Sequence, residues 1–181
     1  MPTPAPEEYP PALFLTCEGG VEATELTRGP WSHGVMHGGP ICGLMSWLIE
    51  RELDREDLIC SRYTVEILSG VPVDKLGVSA NVVKNGKRTA VAEASITHEG
   101  KLLARATSQW LSRPKDLTGD QISVPPIPSE RANPGAHPDM EYPRPGFNAD
   151  AVELRVISGS TEESGPGLVW ARLDHALIAG E

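Results

Sequence analysis

Four consecutive residues, His37-Gly38-Gly39-Pro40, stand directly ahead of a run of apolar residues at helical spacing. A helix that starts there leaves its first N–H groups without backbone acceptors. Glycine has no Cβ to hold a visitor away, so the Gly38 and Gly39 amides could donate to a carbonyl oxygen and to the negative charge it gains under nucleophilic attack. His37, with an ordinary pKa of about 6.5, could hydrogen-bond a substrate or a water. The plainer alternatives are a tight turn into a buried helix and a ring bonded to a loop carbonyl.

Other reactive residue types are scattered. Glu50 is the carboxylate on the same run that a general base would need, although its spacing also fits a solvated surface. Cys42 lies within the apolar stripe with no adjacent base, which fits a small buried hydrophobe. Arg62, Lys84, Lys87 and Arg88 could meet phosphates, the last three flanking one turn, but a charged hairpin tip explains them equally. His33 and His37 are four apart, yet Gly34 separates them and spacing offers no third ligand, so no metal is expected. Asp174 and His175 are neighbours, and neighbours in a strand face opposite sides.

These residues need elements to hold them. Ile41, Leu44, Met45, Leu48, Ile49 and Leu53 predict a helix over residues 40–54, with Pro40 at its first position. Cys42 and Trp47 widen the stripe, as for a helix that a sheet wraps. Four segments then alternate with period two: Tyr63/Val65/Ile67, Leu76/Val78/Ala80/Val82, Ala90/Ala92/Ala94/Ile96 and Leu102/Ala104/Ala106/Trp110. Asn85-Gly86 predicts a two-residue turn between the second and third, and His98-Glu99-Gly100 one between the third and fourth, so the four strands are expected to be consecutive and antiparallel. The column Ala80, Ala90, Ala92, Ala94, Ala104 and Ala106 makes a sheet face too shallow to fill a core alone, and the helix is the bulk that fits against it. Phe14, Leu15 and residues 21–27 supply at least one further strand.

The chain has 181 residues, enough for one core and a short second piece. Its formal charge is −9, with no basic block to track a phosphate backbone, which argues against nucleic acid as a partner. No apolar run reaches membrane-spanning length and residues 1–11 carry no basic start to a secretory signal, so a soluble, cytoplasmic protein without a membrane partner is expected. The three cysteines form no CxxC and read as free thiols. Of 17 prolines, five fall in residues 2–11 and seven in 125–145. That predicts a main body over 1–112, an extended Pro-rich linker over 113–147 and a tail over 148–181.

The element order, with His37-Gly38-Gly39-Pro40 at the helix entrance, resembles the α+β hotdog fold, an antiparallel sheet wrapped around a long central helix. Gly29-Pro30-Trp31, the strand Arg62 to Leu68 running into Val71-Pro72-Val73, and Ala104-Arg105-Ala106-Thr107 ahead of Trp110-Leu111 resemble the acyl-CoA thioesterase II-like family, whose chains carry two hotdogs in tandem. Val152-Glu153-Leu154-Arg155 and residues 167–173 resemble the opening hairpin of the second hotdog, here a partial one that ends before any second helix. The resemblance implies that the tandem family's acid/base residues belong to that second hotdog. In single-hotdog relatives a carboxylate follows the two glycines by two to three turns, where this chain has Ser46 and Trp47.

The resemblance implies hydrolysis of an acyl-CoA thioester by water, without a covalent intermediate and without a cofactor. Gly38 and Gly39 would hold the oxyanion, His37 and Glu50 are the catalytic candidates, and Arg88 is a candidate contact to coenzyme A. The alternative is a non-catalytic acyl-CoA-binding or structural half, which Ser46 favours. A hotdog hydratase or dehydratase of enoyl thioesters comes third, because no Asp/His pair of that kind is seen. Hotdog sheets pair edge to edge, so self-association into a homo-oligomer is expected.

Overall fold

His37 starts the central helix. Its backbone is extended (φ −71°, ψ 151°) and its ring Nδ1 accepts the Gly39 N–H at 3.0 Å, so α1 runs Gly38–Leu53, two residues earlier than Pro40 alone predicts. Pro40 is third in the helix, where its missing N–H still costs nothing. Asp54, left-handed at φ 46° and ψ 53°, ends it by donating its N–H to Glu50 O. The computed structural model describes residues 9–113, 144–159 and 164–181. Most of the predicted linker, residues 114–143, lies outside the described residues.

The main sheet contains β1 (Ala12–Cys17), β2 (Gly20–Ala23), β3 (Leu58–Ile67), β4 (Lys75–Asn85), β5 (Thr89–His98) and β6 (Lys101–Ser112). A hairpin of β7 (Val152–Ser158) and β8 (Leu168–Leu173) stands apart as a second sheet, and β9 (Ala176–Ile178) returns to the first. The seven-stranded order is β3-β6-β5-β4-β2-β1-β9. All pairings are antiparallel except β1 with β9, which is parallel.

The alanine column does what its shallowness implies. Ala90, Ala92, Ala94, Ala104 and Ala106 are buried, Ala80 is half-buried, and α1 packs on β4, β5 and β6 through Ile41, Leu44, Met45, Ile49 and Leu53. Methyl-sized residues on the sheet let the large helix side chains fill the space without a void. The sheet curls around this rod, which is the hotdog arrangement.

Two expectations about connections need correcting. The first strand of the four does not neighbour the second: β3 pairs with β6, from Leu58↔Ser112 to Ile67↔Ala104, and forms an edge of the sheet. The reason lies in residues 68–74, whose backbone bonds elsewhere: Leu68 N–H goes to Leu103 O, Met36 N–H reaches Val71 O, and Val73 N–H reaches Gly34 O. That segment lies against the loop ahead of α1, with Val35 bridging Pro72, instead of making a hairpin. The second correction concerns Asn85-Gly86, where neither residue takes a positive φ. A register shift between Val82 and Lys84 pairs Asn85 with Ala90, and Gly86 N–H closes on Thr89 O at 2.9 Å. Glu99 and Gly100 do form the predicted positive-φ turn, at 50° and 78°.

Candidate active site at the helix entrance

The loop ahead of α1 is pinned at each step. Gly29 N–H donates to Val35 O, and His37 N–H donates to Thr27 O at 2.7 Å. Thr27, fully buried, returns its hydroxyl to Thr24 O. At Gly29 a Cβ would lie 2.8 Å from the Trp31 ring, so only glycine lets that ring fold back over the entrance. Trp31 remains 68% exposed and stacks on His37, with centroids 5.2 Å apart and planes at 18°.

The opposite face of His37 is covered by Phe147, 4.9 Å away at 25°. Phe147 arrives on a single wide turn, Phe147–Ala151, and its N–H donates to Arg28 O at 2.9 Å. The turn hangs on the Asp150 carboxylate, which is 1% exposed and accepts from Tyr9 Oη at 2.6 Å, Gly146 N–H at 2.9 Å and Arg144 Nε at 3.0 Å. A buried carboxylate needs such partners, and these satisfy it.

The geometry separates the candidate residues. His37 Nδ1 accepts from Gly39, so the capping ring is neutral and carries its proton on Nε2. Burial pushes its pKa below the ordinary value, which favours the same neutral form. In this state His37 can donate through Nε2, while its basic nitrogen is occupied. The Gly39 N–H is likewise taken, and a Cβ there would meet the Phe147 ring at 2.7 and 2.9 Å. Gly38 is different. As the first helical residue its N–H has no intrahelical acceptor, and a Cβ there would meet only Ile67 Cδ1, at 3.8 Å.

From Gly38 an apolar strip follows the inner face of β3. Ile67 is 48% exposed, Val65 and Tyr63 are half-buried, and the Tyr63 hydroxyl donates to Cys42 O at 2.7 Å. Burial raises the Cys42 thiol pKa, and burial followed by the nearby Cys42, Cys60 and Glu50 raises that of Tyr63, so neither is a ready anion. All three cysteines are free.

Glu50 and Arg88 are elsewhere. Glu50 is exposed on the last turn of α1, and thirteen residues at the helical rise put it about 20 Å from His37. It borders an open concavity of about 360 Å³ with Leu53, Arg55, Trp110 and Arg113. Arg88 is exposed in the β4–β5 loop at that same end, where its carbonyl accepts from Ser112 N–H. The expected catalytic pair His37 and Glu50 is therefore not brought together. Another concavity, of about 450 Å³, lies on the outer face of the sheet among Glu66, Ser79, Asn81, Glu93, Ser95 and Arg105. Trp31 and Phe147 complete the site although neither is of a chemically reactive type. Trp31 had a signal in Gly29-Pro30-Trp31, whereas Phe147 stood at the end of a predicted linker.

A curled antiparallel sheet around one helix, with glycine amides at the helix entrance, defines a hotdog protein. Solved structures agree on the fold. A hotdog-fold protein of unknown function from Alicyclobacillus acidocaldarius superposes at a TM-score of 0.65 with 18% identity, over 91% of this chain and 61% of that one. A candidate thioesterase from Novosphingobium aromaticivorans superposes at 0.64 with 20% identity, over 89% and 64% respectively. The chain thus spans less than two thirds of the length of either. Residues 27–110, which hold the entrance loop, α1, β3 to β5 and most of β6, match the model of the acyl-CoA thioesterase N-terminal domain family. No curated protein sequence matches the chain. Among the described residues no helix is long and apolar enough to cross a membrane.

Proposed function

We propose that the chain binds an acyl-CoA at the entrance of α1 and promotes hydrolysis of its thioester by water. The observation that carries this reading is the Gly38 amide, unpartnered within its helix, open on its Cα side and next to the apolar strip of Ile67, Val65 and Tyr63. The thioester oxygen would accept from Gly38 N–H, where the positive end of the helix dipole adds to the hydrogen bond. His37 Nε2–H is a second donor for the carbonyl or the attacking water. The acyl chain would lie along the strip. The reading dispenses with Glu50 and Arg88.

A second reading, an acyl-CoA-binding half without turnover, is favoured by one observation. Among the described residues the carboxylates near the entrance are engaged, Asp150 buried in its own bonds and Glu25 paired with Arg28, and Glu50 is at the far end. A base would then come from another segment or a second copy. The open edge of β3 supports self-association, and a clean monomer in micromolar sedimentation would contradict it. The division into a body over 1–112, a connector and the opening strands of a second hotdog over 148–181 is supported by the separate β7–β8 sheet, with β9 the exception.

The test incubates the protein with acyl-CoAs of graded chain length and follows free coenzyme A by chromatography. Release that falls in Gly39→Val and survives in Glu50→Ala supports hydrolysis at the entrance. Binding without release supports the second reading. Neither binding nor release overturns both.

A further inference from the structure

We propose that Phe147 is a positioning residue for the helix entrance: it holds the His37 ring where Nδ1 caps Gly39, and so leaves Gly38 as the amide open to a ligand oxygen. The inference rests on the proposed reading for the identity of that ligand, while its geometry can be tested without one.

An imidazole is an unusual cap. Ser, Thr, Asp and Asn bond the helix start with one or two rotatable bonds, whereas His37 must hold a larger ring in one orientation. Two aromatic faces hold it, and they are not equal. Trp31 is 68% exposed and lies on a loop that solvent can reach from outside. Phe147 is half-buried, tied by its own N–H to Arg28 O, and carried on a turn fastened by three hydrogen bonds to the buried Asp150. It also sits against Gly39, where a Cβ would come within 2.7 Å of its ring. The rigid wall of the clamp is therefore Phe147.

That wall is supplied from beyond the connector. The family-matching segment ends at residue 110, so the entrance is completed by a turn that follows it in the chain. The lowered pKa of His37 is consistent with this enclosure. The charged side chains on the flanking turns pair with each other, Arg28 with Glu25 and Arg144 with Asp150, and burial is the cause of the shift.

The experiment compares the full chain with Phe147→Ala and Phe147→Tyr by NMR, reading amide exchange at Gly39 and the titration of His37. In Phe147→Ala, Gly39 exchange is expected to rise about fivefold, as loss of a cap of ordinary strength gives, and His37 to titrate closer to about 6.5. Phe147→Tyr keeps the ring and is expected to keep both wild-type values. If Phe147→Ala does not fold, Asp150→Asn loosens the turn and should move both readouts in the same direction by less. Unchanged Gly39 exchange and unchanged His37 titration in the folded variant overturn the inference. Binding of a non-hydrolysable thioether analogue of an acyl-CoA is measured alongside. If Phe147→Ala moves His37 and Gly39 but neither it nor wild type binds the analogue, the thioester reading fails and the positioning role stands.

Discussion

At its first turn α1 presents free or capped N–H groups, two glycines and three stacked rings, whereas at its last turn it presents exposed carboxylates beside Arg55 and Arg113. Both ends border solvent and each has a candidate residue that the sequence singles out. The difference is one of chemistry. The N-terminal end carries the positive pole of the helix and donors with no Cβ in front of them, so it can stabilise an oxyanion. The C-terminal end carries the negative pole and is occupied by ion pairs such as Arg55 with Asp57. A functional residue type is therefore informative only together with the end of the helix on which it falls.

The largest expected effect strikes both ends at once. Leu44 is fully buried where α1 meets the sheet, so Leu44→Ala should cost about 3 kcal/mol in denaturant unfolding. A loss under about 1 kcal/mol would mean that the rod is not seated as described. Next, Gly39→Val drives a side chain into the Phe147 ring and should weaken binding of the thioether analogue at least about tenfold, some 1.4 kcal/mol. Unchanged affinity would remove the entrance as the site.

His37→Ala removes the cap and should cost about 1 kcal/mol at neutral pH. Because folding lowers the His37 pKa, its contribution is full above about 6.5 and fades as pH falls through the folded value. The gap in Tm between wild type and His37→Ala should therefore narrow from pH 7.5 to pH 5.5. A gap that widens on acidification would contradict the neutral cap. The smallest effects belong to the other end: Glu50→Gln and Arg88→Ala should each stay within about 0.5 kcal/mol in stability and about twofold in analogue affinity.

What the sequence makes legible follows the range of the interactions. The helix and the alanine column are local patterns, and Ile41, Leu44, Met45, Ile49 and Ala92 report burial through spacing alone. The Glu99-Gly100 turn is equally local. Pairing of β3 with β6 is not, because Tyr63, Val65 and Ile67 would alternate identically beside any neighbour. Asn85-Gly86 carries a strong turn signal that a bulge two residues upstream cancels, while the Arg55 guanidinium bonds Asn85 Oδ1 at 2.6 Å. The entrance shows the same division. Its glycines are readable at the helix start, but a ring stacked on His37 from 110 residues downstream is a tertiary contact that no local pattern encodes.

The proposed activity needs a thioester oxygen to be received at the Gly38 amide. Titrating the labelled protein with a thioether analogue of an acyl-CoA and following amide and methyl NMR signals tests this most directly. The Gly38 amide and the Ile67 methyl groups should move first and furthest. Shifts gathered at Glu50, Arg88 and Trp110, with Gly38 and Ile67 unmoved, would contradict it.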